Sequence, residues 1–217
     1  MKNAPEIRKT DALHPDPDLI EAACRVIRAG GVVAFPASSL YGLAADAFNR
    51  LAVDRVFRMK KRPADKPILL LIRDREALST LAADIPPSAI RLMDAFWPGN
   101  VTLVFSAAKE VSGYLTSGTG RIGVRVPAQP VARALVNGLD NPITGTSANL
   151  SGHPGVDVAS ELSEILAEPP ELILDAGKLK GGKGSTVVDV SVNPPIVLRE
   201  GAVPAGEIFA ALNLYRS

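Results

Sequence analysis

Apolar residues recur at helical spacing across residues 16–30, where Ile20, Ala23, Cys24 and Ile27 form one stripe. Pro17 suits the first turn of that helix, and Gly30 can close it in the left-handed conformation. The apolar run 32–35 then predicts a short buried strand, stopped by Pro36. Asn49 is placed to cap a helix reaching Met59, with Val53, Val56 and Phe57 on its inner face. After Pro67 every residue to Ile72 is apolar, as in a central strand covered on both faces. Residues 88–96 read as a helix ended by Trp97-Pro98-Gly99, and residues 130–139 as another. Further strands are predicted at 101–105, 122–126, 142–144, 171–174, 186–190 and 196–198, with a closing helix over 204–214. Helices and strands are mixed throughout, no repeat emerges and no low-complexity linker interrupts them. Together they predict an α/β fold with a twisted, mixed sheet. Residues 1–15 read as a polar lead-in and residues 16–217 as one domain.

Composition narrows the function classes. Over 217 residues, 24 Lys and Arg balance 23 Asp and Glu to a net charge of +1. That balance argues against wholesale nucleic-acid binding and leaves room for a local basic patch. A 47% hydrophobic share suits a packed core rather than a disordered chain. Cys24 is the single cysteine, so no internal disulfide can form, and no segment reads as a signal peptide. A cytoplasmic location is the expectation, with no membrane association, because no apolar run approaches the roughly 18 residues a bilayer span needs.

Four segments hold residue types suited to chemistry. Arg58, Lys60, Lys61, Arg62 and Lys66 place five cations in nine residues, opposed only by Asp65. Lysine supplies point charge and arginine a fork matched to phosphate oxygens, so the cluster suits a triphosphate. The same cations would also complement a solvated helix C-terminus. Thr144-Gly-Thr-Ser-Ala-Asn149, with Ser151 to His153 behind it, follows a predicted strand, where α/β sheets bind ligands. An ordinary turn accounts for the same residues. Residues 177–186, GKLKGGKGST, nearly spell a P-loop, but Gly184 stands where Ser or Thr is required and a strand follows instead of a helix. That leaves a flexible phosphate-tolerant loop, with 177–184 the candidate for mobility, or a plain hairpin. Arg125 and Arg199 end apolar strands. Each needs an anionic partner there, either a bound carboxylate or phosphate or a structural acid. His14 and His153 lack metal-ligand spacing with Cys24, and no metal site is expected.

In order along the chain stand Lys60-x-Arg62-Pro63 with Lys66-Pro67, Phe96-Trp-Pro-Gly99, Gly123-Val-Arg-Val-Pro127, Ser147-Ala-Asn149-x-Ser-Gly152, Ser185-Thr-Val-Val-Asp189 and Leu198-Arg-x-Gly201. This set resembles the YrdC-like family over most of the chain. The resemblance implies an open, twisted α/β sheet with flanking helices around a basic central cavity. It implies an L-threonylcarbamoyladenylate synthase reaction on ATP, L-threonine and bicarbonate, with Mg2+ accompanying the ATP. The adenylate would pass to partner proteins that modify adenosine 37 of tRNA. By the same resemblance Lys60, Arg62 and Lys66 hold the ATP phosphates, Lys60 and Arg62 as catalytic groups. Ser147, Asn149, Gly155 and Arg199 contact the nucleotide, and Ser39, Arg125 and Ser185 hold threonine.

The family pattern Pro-Thr-Asp/Glu-Thr-Val-Tyr-Gly-Leu here reads Pro36-Ala-Ser-Ser-Leu-Tyr-Gly-Leu43, without the acid and with Ser39 at the second threonine. A paralogous adenylating enzyme with another amine acceptor is therefore an alternative. Another is a module that binds tRNA or double-stranded RNA through the 58–66 cluster. Dihydroxybutanone phosphate synthase chemistry on a related scaffold would need a dense acidic motif that the chain lacks. The longer family form carries an additional C-terminal domain, and the expectation for this chain is the short form.

Overall fold

The computed structural model describes residues 4–213. The helices are α1 (Pro17–Arg28), α2 (Arg50–Lys60), α3 (Pro87–Phe96), α4 (Gly113–Thr116), α5 (Pro130–Asn137), α6 (Leu162–Ile165) and α7 (Ala205–Ala211). The strands are β1 (Glu6–Lys9), β2 (Val33–Pro36), β3 (Tyr41–Ala44), β4 (Leu69–Leu71), β5 (Val101–Ser106), β6 (Arg121–Arg125), β7 (Ile143–Thr144), β8 (Thr146–Ser147), β9 (Leu172–Asp175), β10 (Thr186–Asp189) and β11 (Ile196–Arg199). The mixed α/β class is the expected one. Among the described residues the strands divide between two mixed sheets, in the orders β1-β9-β2-β3-β8 and β11-β10-β5-β6-β4-β7.

Local chemistry sets the helix ends. The Asp16 carboxylate accepts from the Asp18 N–H at the start of α1, and Gly30 leaves its end at φ 83°. The Asn49 side chain accepts from the Ala52 N–H and caps α2, as its position suggests. Lys61 ends α2 at φ 47°, with the Arg62 N–H donating to the Phe57 carbonyl, and this turn throws Arg62 off the helix axis.

β2 shows why an unbroken apolar run makes a strand here. Alternate residues face opposite sides. Val33 and Phe35 pack with Ala23, Ile27 and Leu135 beneath α1 and α5, while Val32 and Ala34 join the larger core with Leu103 and Val124 of the second sheet. Each fully buried Val, Leu, Ile or Phe contributes about 1.5–3 kcal/mol. β1, in the segment that polarity marks as a lead-in, is exposed at all four residues and pairs in parallel with β9. The closing helix ends at Ala211, and Leu214 lies outside the described residues.

Two short strands join the sheets. β7 pairs with β4 in the second sheet, and β8 pairs with β3 in the first. Gly145 is the single residue between them. The chain thus steps from one sheet to the other just before Ser147 and Asn149.

Candidate functional site

A cavity of about 800 Å3 is lined by residues of both sheets and of the β7–β8 step. Its lining includes Lys60, Arg62, Arg121, Arg125 and Arg199, and among the described residues no aspartate or glutamate. Nine of the ten residues singled out from the sequence border it: Ser39, Lys60, Arg62, Arg125, Ser147, Asn149, Gly155, Ser185 and Arg199. Lys66 is exposed and stands apart from the lining, although its carbonyl accepts from Arg62 Nε at 3.2 Å.

Lys60, the last residue of α2, is 2% exposed. Its ammonium donates to the Ser147 carbonyl, to the Asn149 carbonyl at 2.9 Å and to Asn149 Oδ1 at 3.1 Å. Burial, with Arg62 adding repulsion, lowers its pKa to about 7. Lys60 thus fastens the 147–149 turn from behind. The turn is further tied by Ser147 Oγ donating to Asn149 Oδ1 at 2.5 Å and by Asn149 Nδ2 donating to the His153 carbonyl at 2.6 Å. Arg62 donates through Nη2 to the Pro67 carbonyl at 2.6 Å and lies 5.9 Å over the Phe57 ring.

Arg125 ends β6 and is 4% exposed. Its Nη1 donates to the Gly99 carbonyl at 3.3 Å and to Asn100 Oδ1 at 3.2 Å, while its Nε is buried without a partner. Burial, and then the charge of Arg199, pulls its pKa down to about 10, so it remains a cation at neutral pH. Arg199 donates to the Ser185 carbonyl at 2.8 Å, and Ser185 Oγ shares a 2.8 Å hydrogen bond with Thr102 Oγ1. Among the described residues none of Lys60, Arg62, Arg125 and Arg199 forms an ion pair with a carboxylate. Lys60 and Arg125 are buried, Arg62 is half-buried and Arg199 is exposed; for the buried pair a missing counter-ion is costly, and a bound anion repays that cost.

The loop read as a mobility candidate is tied to the cavity wall. Gly181 N–H donates to the Ser39 carbonyl at 2.9 Å, Tyr41 Oη to the Gly177 carbonyl at 2.7 Å and Leu179 N–H to the Asp157 carbonyl at 2.8 Å. The Ser39 hydroxyl donates to the Lys183 carbonyl at 3.4 Å. β10 follows this loop, so it lacks the helix that a P-loop opens. Among the described residues no three His, Cys, Asp or Glu side chains gather as a metal site.

Sequence reasoning missed several lining or supporting residues. Thr102 alternates with core residues in β5 and carries no charge to mark it. Arg121 starts β6 and pairs through Nη1 with the buried Asp189 at 2.8 Å. Asn100 and Ser38 look like turn residues; the bond between them crosses 62 positions of sequence and the bond from Arg125 to Asn100 crosses 25.

The Sua5/YciO/YrdC family model, described as telomere recombination, matches residues 25–201. The chain belongs to the Sua5/YciO/YrdC family. It is 40% identical over 189 residues to a threonylcarbamoyl-AMP synthase of Pyrococcus abyssi, covering 87% of this chain and 56% of that protein. The crystal structure of Pyrococcus abyssi Sua5 complexed with L-threonine superposes with a TM-score of 0.90 at 37% identity, covering 97% of this chain and 62% of that one. Escherichia coli YciO superposes with a TM-score of 0.84 at 32% identity, over 93% of this chain and 98% of YciO. This Sua5/YciO/YrdC chain therefore spans under two thirds of the Pyrococcus proteins and nearly all of YciO. No described helix is long and apolar enough to cross a membrane.

Proposed function

We propose that the protein is an L-threonylcarbamoyladenylate synthase, a nucleotidyltransferase that adenylates N-carboxythreonine. The strongest support is Arg125, buried at 4% exposure on the cavity wall and, among the described residues, in no ion pair with a carboxylate. A guanidinium so placed suits the α-carboxylate of an amino acid, with Ser185 and Ser39 lining the same cavity. Arg62 and Arg199 are the forks for the triphosphate, and the turn that Lys60 fastens brings Ser147 and Asn149 to the nucleotide. Gly155 lines the same space with backbone alone. The complex of Sua5 with L-threonine supports the choice of amino acid.

The chemistry balances without a covalent enzyme intermediate. The amine of threonine adds to bicarbonate with loss of water to give an N-carboxylate. One oxygen of that carboxylate attacks the α-phosphorus of ATP, the bond to the β-phosphate breaks and pyrophosphate leaves. The side chains supply alignment of the attacking oxygen and neutralisation of charge on the leaving group. Lys60 acts on this reaction through the turn it holds, and Arg62 acts directly. Magnesium enters as part of the MgATP substrate, since the lining offers hydroxyls, amides and cations rather than a carboxylate set. The adenylate would then pass to proteins that place threonylcarbamoyl on adenosine 37 of tRNA.

A second reading has its own observation. Ser38 stands where an acid is usual and bonds Asn100 instead, next to Arg125. Together with the likeness to YciO, this favours a related adenylating enzyme with another amine acceptor as the rival. The test is product analysis by mass spectrometry after incubation with ATP, magnesium, bicarbonate and threonine, with serine in parallel. Threonylcarbamoyl-AMP is expected with threonine. Adenylate with serine alone, or none in either tube from folded protein that binds ATP, favours the rival.

A further inference from the structure

Asn100 follows the Phe96-Trp-Pro-Gly99 turn and is only partly exposed. Its Oδ1 accepts two hydrogen bonds, from Ser38 Oγ at 2.8 Å and from Arg125 Nη1 at 3.2 Å. One neutral oxygen therefore joins the 36–43 segment to the buried arginine. Ser38 and Arg125 both line the cavity, and Asn100 stands behind them, outside the lining. Arg125 gets direction from Asn100 and from the Gly99 carbonyl, but no charge compensation from either. An aspartate in place of Asn100 would keep the shape and pair with the guanidinium. It would then compete with any anion entering the cavity.

We propose that Asn100 is a positioning residue: with Ser38 it aims the Arg125 guanidinium at a substrate carboxylate while leaving its charge uncompensated. This inference rests on the reading of Arg125 as the amino-acid carboxylate site. The neutrality of the Ser38–Asn100 pair then matters as much as its geometry. Ser38 keeps the amide oxygen in place, and the amide oxygen keeps the guanidinium in place. Asn100 touches no substrate in this scheme and acts only through Arg125.

Calorimetry on the full chain, with L-threonine, L-serine and glycine titrated separately at saturating ATP, tests this. Asn100→Asp is expected to weaken the amino acid that wild type binds by about tenfold or more, the scale of a charge-assisted hydrogen bond. Asn100→Ala should weaken it less, and Ser38→Ala least. ATP affinity should stay within about twofold in all three, since a charged hydrogen bond to the nucleotide is not removed. In turnover assays the KM for the amino acid should rise while the KM for ATP holds. Melting curves for each variant separate this from misfolding, because a merely structural role would shift both ligands together. Amino-acid affinity unchanged in folded Asn100→Asp, or amino acid and ATP weakened alike, overturns the proposal. If wild type binds serine or glycine but not threonine, the function proposed above fails, and the same variant series on that ligand still decides the role of Asn100. If wild type binds none of the three, Arg125 is not a carboxylate site and both fall.

Discussion

At the scale of single residues, Lys60 borders the cavity as expected but carries a structural tie that its sequence reading does not include. Its neighbours in the 58–66 cluster are exposed or half-buried, yet Lys60 is enclosed and spent on three oxygens of the 147–149 turn. Burial holds its folded pKa near 7, against an ordinary value of 10.5. Below pH 7 both states carry the proton and the full cost of burying the charge is present. Between pH 7 and 10.5 the unfolded chain binds more protons than the folded one, so stability rises with pH. The slope from this group is at most about 1.4 kcal/mol per pH unit. Denaturant titrations from pH 6 to 10 should show that rise in wild type. Lys60→Met should flatten it, and its deficit against wild type, from the donor the turn loses, should be largest near pH 10, where wild type no longer bears the cost of the buried charge. Equal slopes in the two proteins would show that Lys60 stays charged. The sequence disclosed Arg125 and Arg199 because a guanidinium in an apolar strand is conspicuous. It could not disclose Asn100 or Thr102, whose types are ordinary and whose meaning lies in contacts made across 25 and 83 positions.

At the scale of elements, the apolar runs and capping residues marked most helices and strands to within a residue or two. The strands left unread share a physical cause. β1 is an exposed edge, so no buried face imposes alternation, and β3 is buried at every residue with a glycine inside it. β8 has two residues. The split into two sheets depends on which strands pair, and no local pattern carries that. One junction between elements bears directly on the site. Gly201 follows β11 so closely packed on residues 184–185 that a Cβ would lie 2.2 Å from the Gly184 carbonyl oxygen and 2.4 Å from the Ser185 carbonyl carbon. Both obstacles are backbone. Gly201→Ala should force β11 away from Ser185, break the Arg199–Ser185 contact and cost about 1–3 kcal/mol of stability. Gly206, in α7, meets nothing within 4 Å, so Gly206→Ala should gain about 0.5–1 kcal/mol instead. Denaturation midpoints of the two variants should therefore move in opposite directions. A neutral Gly201→Ala would mean that the junction is free to open.

At the scale of the whole molecule, two sheets bring cations together that no single element holds. Arg62 comes from beyond α2, Arg125 from β6 and Arg199 from β11. The charge of Arg199 helps depress the pKa of both other arginines, after burial in each case. These arginines repel one another across the cavity, and an anion with several negative oxygens should relieve that repulsion. ATP at a hundred times its dissociation constant should stabilise the fold by about 2.7 kcal/mol through mass action alone. Arg199→Gln removes the charge felt by both partners while keeping a side chain able to donate to the Ser185 carbonyl. In that variant the melting temperature without ligand should hold or rise. The upward shift produced by the same ATP concentration should shrink, because fewer forks face the phosphates. These two changes in opposite directions are the signature of a site kept strained for an anion. If Arg199→Gln instead lowers the ligand-free melting temperature and leaves the ATP shift intact, Arg199 is a strut for Ser185, and the anion site reduces to Arg62 and Arg125.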